Sequence, residues 1–486
     1  MQRDSTTLRR RAIFTTTIGV IGHGFLWLFG FKLVATWLGP EGVGLFSQIR
    51  QIIQGVTIGA TYGGSSTVVQ GLSASSGETA RRNFRKTALE LIGFTGLLIV
   101  VFFVFTVPLL VQFFFASNAA DYIQAMYWVA LAIALSIAST YVLAILNGYR
   151  LYYRLALAQI SGPFALSALL LVYWTQGFAF DPVLLAKCFV LCFAFTFTVG
   201  FFSMPRFAQQ HARIEQGVVT RHNKRAFFQF ATANLLSTLF ATFTMLLIRS
   251  WVIEEHGLTF SGLFDAGWTL TFNYATIFLS ACNAFYLPTL TALTKPEEQR
   301  VCIQKMAYIV LGSFVVIYFT LLLFDKWFMN LLYSAQFQPS VPVLQILAIA
   351  VIFRAVSWVY GTMILANAQS LTLLISELLL NASMLASTRY ALSSSVATLE
   401  SLGWAFVAPQ FLYLVFSIEY ACRKNSLLRR FDIWPLLLAT VFPLLYLACF
   451  PSSLKGTYYY LHEALLSISG LAIIGFTWLA YKKIRL

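Results

Sequence analysis

The sequence predicts an all-α protein that crosses a membrane many times, and three observations carry that prediction. Only 10% of the 486 residues are charged and 59% are hydrophobic, whereas a soluble domain carries about a quarter charged residues. The apolar residues are gathered into runs, each long enough for a span of roughly 20 residues. Lys and Arg are concentrated in alternate connections between those runs. Water leaves so much apolar surface unplaced. A bilayer accepts it, provided every backbone polar group bonds within its own helix.

Taken in order, spans are expected over 12–38, 43–72, 87–115, 122–147, 152–175, 182–203, 227–252, 261–293, 301–324, 341–366, 369–389, 402–421, 433–450 and 459–481. Arg9-Arg10-Arg11 before the first run resembles the start of a signal peptide. The run reaches about Leu38, too long for a signal core, and has no small-residue cleavage site, so it reads as a retained span. Tyr62-Gly63-Gly64-Ser65-Ser66 makes the middle of the second span small, which suits close packing or bending. Gly162-Pro163 is expected to kink the fifth.

Charge bias sets the orientation. With the N-terminus inside, the inner segments hold 25 Lys and Arg, and the outer ones only Lys326, Arg389 and Lys455. The positive-inside rule therefore places both ends in the cytoplasm and makes the span count even, twelve to fourteen. The longest polar loop, near the middle, divides the chain. An N-terminal six-helix lobe is expected over 1–205, a cytoplasmic linker over 206–226, a second six-helix lobe over 227–422 and two added helices over 423–486. A short repeat supports the duplication. Lys32 to Phe46 reads KLVATWLGPEGVGLF and Arg249 to Phe264 reads RSWVIEEHGLTFSGLF, with Gly44 and Gly262 in corresponding places. Duplicated transporters place their substrate site where the repeats meet.

The formal net charge of +15 does not point to nucleic acid, because the basic residues lie between apolar runs and form no stripe; attraction to anionic lipid explains them. The six cysteines and five histidines have no metal-ligand spacing. Cys188 and Cys192 share a helix face and read as buried thiols. No catalytic triad, phosphate loop or general acid–base pair stands out, so no enzyme and no cofactor is expected.

The informative residues are charges inside spans, each costing about 3 kcal/mol unless paired or wet. At 1.5 Å rise per residue, Lys32 lies about 10 Å, Arg50 about 12 Å, Arg354 about 18 Å and Arg249 about 7 Å below the outer surface. Facing one interior, these four would form a cationic cavity suited to phosphate or pyrophosphate. Arg50 and Arg354 are too deep to snorkel easily. Arg249 either joins the cavity or snorkels to Glu254 or Glu255, and Lys187 is placed to snorkel. Gln51 and Gln54 extend the face of Arg50. Glu377 and Asp265 either balance the cations or bind a coupling ion, a proton or sodium, with an interfacial place equally open for Asp265.

Three segments resemble Wzx-type flippases of the multidrug/oligosaccharidyl-lipid/polysaccharide (MOP) superfamily. These are Leu38-Gly39-Pro40-Glu41-Gly42-Val43-Gly44-Leu45-Phe46 with Ile49-Arg50-Gln51-Ile52, then Asn147-Gly148-Tyr149-Arg150, then Tyr286-Leu287-Pro288-Thr289-Leu290-Thr291-Ala292-Leu293. The resemblance runs from about Gly19 to Arg389. It implies two six-helix lobes around a central cavity and alternating access. It also implies transfer of an undecaprenyl-pyrophosphate-linked oligosaccharide, such as an O-antigen unit, from the cytoplasmic to the periplasmic leaflet of the bacterial inner membrane. The family's basic cavity positions match Lys32, Arg50, Arg249 and Arg354. Membrane lipids and the lipid-linked oligosaccharide are the implied partners, with a polysaccharide polymerase and chain-length proteins as candidates and a monomer as the working unit. The chain departs from the family's common twelve helices by two more, and no family acid matches Asp265.

Two other classes are weighed. A drug or cation antiporter of the same superfamily needs cavity acids, the reverse of what the spans hold. A membrane polymerase or ligase needs a large, basic or histidine-bearing outer loop, and the outer loops here are short.

Overall fold

The computed structural model describes residues 2–63, 68–69, 72, 78–115, 120–179, 181–204, 221–293, 295–366, 369–394 and 398–425. All regular structure among them is helical. The expected spans at 433–450 and 459–481, and most of the linker, lie outside these residues. By contacts the chain divides into two compact units, Met1–Gly262 and Leu263–Leu486, so that residues 227–262 pack with the first.

The first unit holds α1 (Gln2–Trp37), α2 (Gly39–Ala60), α3 (Glu78–Phe115), α4 (Ala120–Gly148), α5 (Tyr152–Thr175), α6 (Pro182–Ser203) and most of α7 (Arg221–Trp268). Helix starts follow local chemistry. Pro182 occupies the first turn of α6, and Asp181 Oδ1 accepts the Val183 N–H at 2.8 Å. Pro40 and Glu41 lie in the first turn of α2, which has no side-chain cap. Helix α4 packs on α6, α1 on α5, and α5 on α6. Polar cross-links accompany this packing: His23 Nδ1 lies 2.8 Å from the Gln159 carbonyl, and Ser167 donates to the Leu26 carbonyl at 3.1 Å. At the end of α4, Tyr149 donates to Glu78 Oε1 at 3.1 Å, tying the Asn147–Arg150 turn to α3. Burial, reinforced by Glu78, raises the Tyr149 phenol above its ordinary pKa and keeps it a donor.

Helix α2 ends earlier than the apolar run suggests. The second span is expected over 43–72, with Tyr62 to Ser66 suited to close packing or bending; helix α2 itself stops at Ala60, Tyr62 and Gly63 take φ of 53° and 93°, and residues 68–69 and 72 are again helical. Consecutive left-handed residues end a helix rather than bend it.

The second difference concerns the seventh and eighth spans. A loop was expected between 252 and 261, yet the chain remains helical through Glu254-Glu255-His256 and leaves helical geometry only at Gly257 (φ 83°, ψ 174°). Among the described residues nine helices are long and apolar enough to cross a membrane, and one of these, Leu235–Asn283, has 49 residues. At about 1.5 Å per residue it would be over twice as long as a roughly 30 Å hydrocarbon core. The break at Gly257 divides it into two span-length pieces.

The second unit continues with a π-helical turn at Thr269–Asn273, then α8 (Tyr274–Ala292), α9 (Pro296–Leu323), a short α10 (Asp325–Leu332) and a 3₁₀ turn at Ala335–Ser340. Helices α11 (Val341–Ala366), α12 (Ser370–Leu392) and α13 (Leu399–Asn425) complete the described part. The segment 325–340, expected as a plain connection, carries α10 and the 3₁₀ turn. Asp325 at its start hydrogen-bonds Gln345 of α11. Helix α11 is the hub: its span is 89% buried, against 22% for α3, and it packs on α8, α9, α12 and α13. A helix apolar around most of its circumference belongs in the middle of a bundle, and this one is there.

Candidate functional site

In the first unit the in-span charges gather on and beside α2. Arg249, on α7, is 2% exposed, and its Nη1 donates to the Ser47 carbonyl at 3.2 Å. Its guanidinium is buried against α2, while Glu254 and Glu255 are exposed. One turn beyond Ser47, the Arg50 guanidinium carbon lies 4.7 Å from the Phe31 ring centroid and 5.9 Å from that of Trp27, both on α1. Such a placement over ring faces is attractive when the cation is partly desolvated. Lys32, next to Phe31, is half-buried. Gln51 is half-buried and Gln54 is exposed. Lys187, on α6, sits 5.3 Å over the Trp128 ring of α4.

Two neighbours of Arg50 had no signal in the sequence. Gln48 is fully buried, and neither its Oε1 nor its Nε2 has a hydrogen-bond partner; the Ser47 hydroxyl is in the same condition. Leaving a buried amide unsatisfied costs about 1–3 kcal/mol, and such cost on one turn of one helix marks that turn. The turn is held close to α7 by Gly44: a Cβ there would collide with the Leu258 carbonyl, and one at Gly262 would overlap the Pro40 carbonyl.

The second unit has a different arrangement. Arg354, on α11, reaches Glu377 Oε1 of α12 with Nη2 at 3.5 Å. Tyr413, on α13, donates to the same oxygen at 3.0 Å, and its ring lies 5.4 Å from the guanidinium carbon. The Arg354 side chain retains 34% exposure and Glu377 13%. The two groups singled out separately by cost are therefore brought together, with Tyr413 added. Asp265 is fully buried within the protein. It lies one turn before the π-helical residues 269–273, where Trp268 and Phe272 stack at 4.0 Å and 6°. π-Helical turns inside longer helices recur at functional sites. Among the described residues, no group of His, Cys, Asp and Glu could hold a metal ion.

No family model and no curated protein matches the sequence. Solved structures do. A MATE-family multidrug transporter of the MOP superfamily, in its inward-facing conformation, aligns with a TM-score of 0.67 at 14% identity, covering 85% of this chain and 98% of its own. The lipid II flippase MurJ, inward closed, aligns at 0.63 and 13% identity over 97% of this chain and 99% of its own. A MOP transporter from Pyrococcus furiosus, described as having a binding pocket of reversed polarity that suggests a different function, aligns at 0.63 and 16%, covering 85% and 94%. The chain has the MATE/MurJ fold. That is a multi-pass membrane fold, and it agrees with the all-α class expected from composition and hydropathy.

Proposed function

We propose that this protein is a transporter of the MOP type that flips an undecaprenyl-pyrophosphate-linked oligosaccharide across the bacterial inner membrane by alternating access, with both termini in the cytoplasm. The observation that carries the reading is the sign of the buried charge. Among the described residues of the first unit, the charges held within spans are Lys32, Arg50 and Arg249, with Lys187 nearer its span's outer end, while the acids lie near span ends, as Glu41, Asp121, Asp181, Glu254 and Glu255 do. A site for an organic cation would need the opposite sign; a pyrophosphate matches this one. MurJ, which shares the fold, is a lipid II flippase, and that supports the choice of a lipid-linked substrate over a drug. The protein would need no catalytic group, since no bond is made or broken in flipping. The six-plus-six lobe division, the monomeric state and work alongside a polymerase and chain-length proteins belong to the same proposal.

A second reading, a cation antiporter, draws on two in-span acids of the second unit, the buried Asp265 and the half-buried Glu377. In the flippase reading these serve coupling to an ion.

The test is the membrane face on which lipid-linked oligosaccharide collects in a strain lacking the gene. Intact units held on the cytoplasmic face, released by the wild-type gene and not by an Arg50→Ala, Arg354→Ala double variant, are expected. Normal surface glycan in the deletion strain, with loss of resistance to a cationic drug, would transfer the protein to the antiporter reading.

A further inference from the structure

The first unit carries a cavity that the cationic site does not use. It is a groove of about 530 Å³ between α3, α4 and α6, within the roughly 300–1,000 Å³ of ligand pockets. Its walls are apolar. Arg85 and Lys86 line one end, with the Tyr141 hydroxyl donating to the Arg85 carbonyl at 3.0 Å. On α3 the lining runs from Arg85 to Val100, about 22 Å at the helical rise and more than the roughly 15 Å of hydrocarbon in one leaflet. The groove opens sideways past Leu97, which is 64% exposed, and Phe201. Gly93 lines it and is exposed, and a Cβ there would meet nothing within 4 Å.

We propose that this groove binds an acidic glycerophospholipid, with one acyl chain lying along α3 over Gly93 and the phosphate between Arg85 and Lys86. The leaflet is the cytoplasmic one, by the charge-bias topology proposed above. A long apolar trough closed at one end by cations matches a molecule with a long apolar chain and a terminal anion. The charge at the mouth selects among such molecules. Lys86 is shared with Glu90 at 3.8 Å, so Arg85, Lys86 and Glu90 together carry one net positive charge. A phosphodiester bears one negative charge and is balanced by it, whereas a pyrophosphate bears more. Zwitterionic headgroups bring a choline or ethanolamine cation to a site already positive. The site is separate from the cluster on α2, and its occupant is a membrane lipid rather than cargo.

The test uses the purified full-length protein in detergent, with phosphatidylglycerol as the probe and phosphatidylcholine as the comparison. Native mass spectrometry counts retained lipid, and thermal unfolding reads stabilisation. Wild type is expected to retain phosphatidylglycerol at least tenfold better than phosphatidylcholine and to unfold several degrees higher with it. Gly93→Leu places a bulky side chain in the groove without backbone conflict and is expected to lose both effects while unfolding normally in phosphatidylcholine. Lys86→Glu reverses the mouth from outside the packed core and is expected to abolish the preference for the acidic lipid. Equal retention of the two lipids by wild type, or undiminished phosphatidylglycerol binding by Gly93→Leu, would overturn the proposal. So would a polyprenyl phosphate that binds in a Gly93-dependent way while phosphatidylglycerol does not.

Discussion

Gly44 and Gly262 hold the same place in two copies of a short sequence repeat, and in the folded chain they meet. A Cβ on Gly262 would lie 2.9 Å from the Gly44 amide nitrogen, and one on Gly44 would lie 3.1 Å from that of Gly262. The duplication thus has a structural consequence: each copy supplies one small residue to a helix crossing too close for any side chain.

Gly262→Ala is therefore expected to cost about 1–3 kcal/mol, the usual penalty of overpacking, and Gly44→Ala to cost a similar amount. The purified variants should unfold at lower temperature than wild type. Gly59→Ala is the control, because its nearest neighbour is the flexible end of Leu239 at 3.6 Å and alanine favours the helix by up to about 1 kcal/mol. If Gly262→Ala and Gly59→Ala unfold at the same temperature, the close crossing is not what these glycines are for.

Much of this fold is legible from residues alone, and where it is not the reason is physical. The fifth and sixth spans are observed over the ranges the sequence suggests, Tyr152–Thr175 and Pro182–Ser203, because Arg150, Asp181 and Pro182 terminate apolar runs sharply. The turn between the seventh and eighth spans reads as a loop because Glu254-Glu255-His256 is polar. Polarity reports water, not dihedral angles, and a single glycine suffices to break the helix. Helix α10 is invisible to a search for 20-residue runs because it has only 8 residues. At the site, the expense of burying Arg354 and Glu377 was legible, but their pairing across 23 positions and two helices was not. Tyr413 gave no signal, since tyrosines are common in spans; Gln48 gave none because its unsatisfied state exists only after packing.

Arg249 separates a structural cation from a working one. Its charge is buried against the Ser47 carbonyl, and holding a charge away from water costs free energy that a neutral side chain of similar length does not. Arg249→Met should therefore unfold at or above the wild-type temperature, while glycan export in cells falls at least tenfold. A parallel loss of stability and export would reduce Arg249 to a packing element.

The Arg354–Glu377 pair should show coupling. Glu377→Gln leaves a partly buried guanidinium without its counter-charge, and Arg354→Gln does the same to the carboxylate. In a double-mutant cycle on thermal stability the coupling is expected between about 0.5 and 3 kcal/mol, toward the lower end because Arg354 keeps 34% exposure. Tyr413→Phe removes one hydrogen bond to the same oxygen and should cost about 1 kcal/mol. Additive single effects would mean that the pair does not interact in solution.

Lys187 and Arg50 make the sharpest comparison, because each is an in-span cation over an aromatic ring in the same unit. Lys187 lies five residues from Pro182, at the start of α6, about 8 Å along the helix, within reach of the interface for a lysine stem. Arg50 lies about 12 Å in, counted from Gly42, on the turn that also holds Gln48. Removing either cation–ring contact costs about 0.5–2 kcal/mol, so stability will not tell them apart. Transport should. Lys187→Met is expected to leave glycan export within twofold of wild type, and Arg50→Met to reduce it at least tenfold. Equal loss in both would show that the number of cations matters rather than their depth; equal retention would remove Arg50 from the substrate path and leave the cationic reading without its central residue.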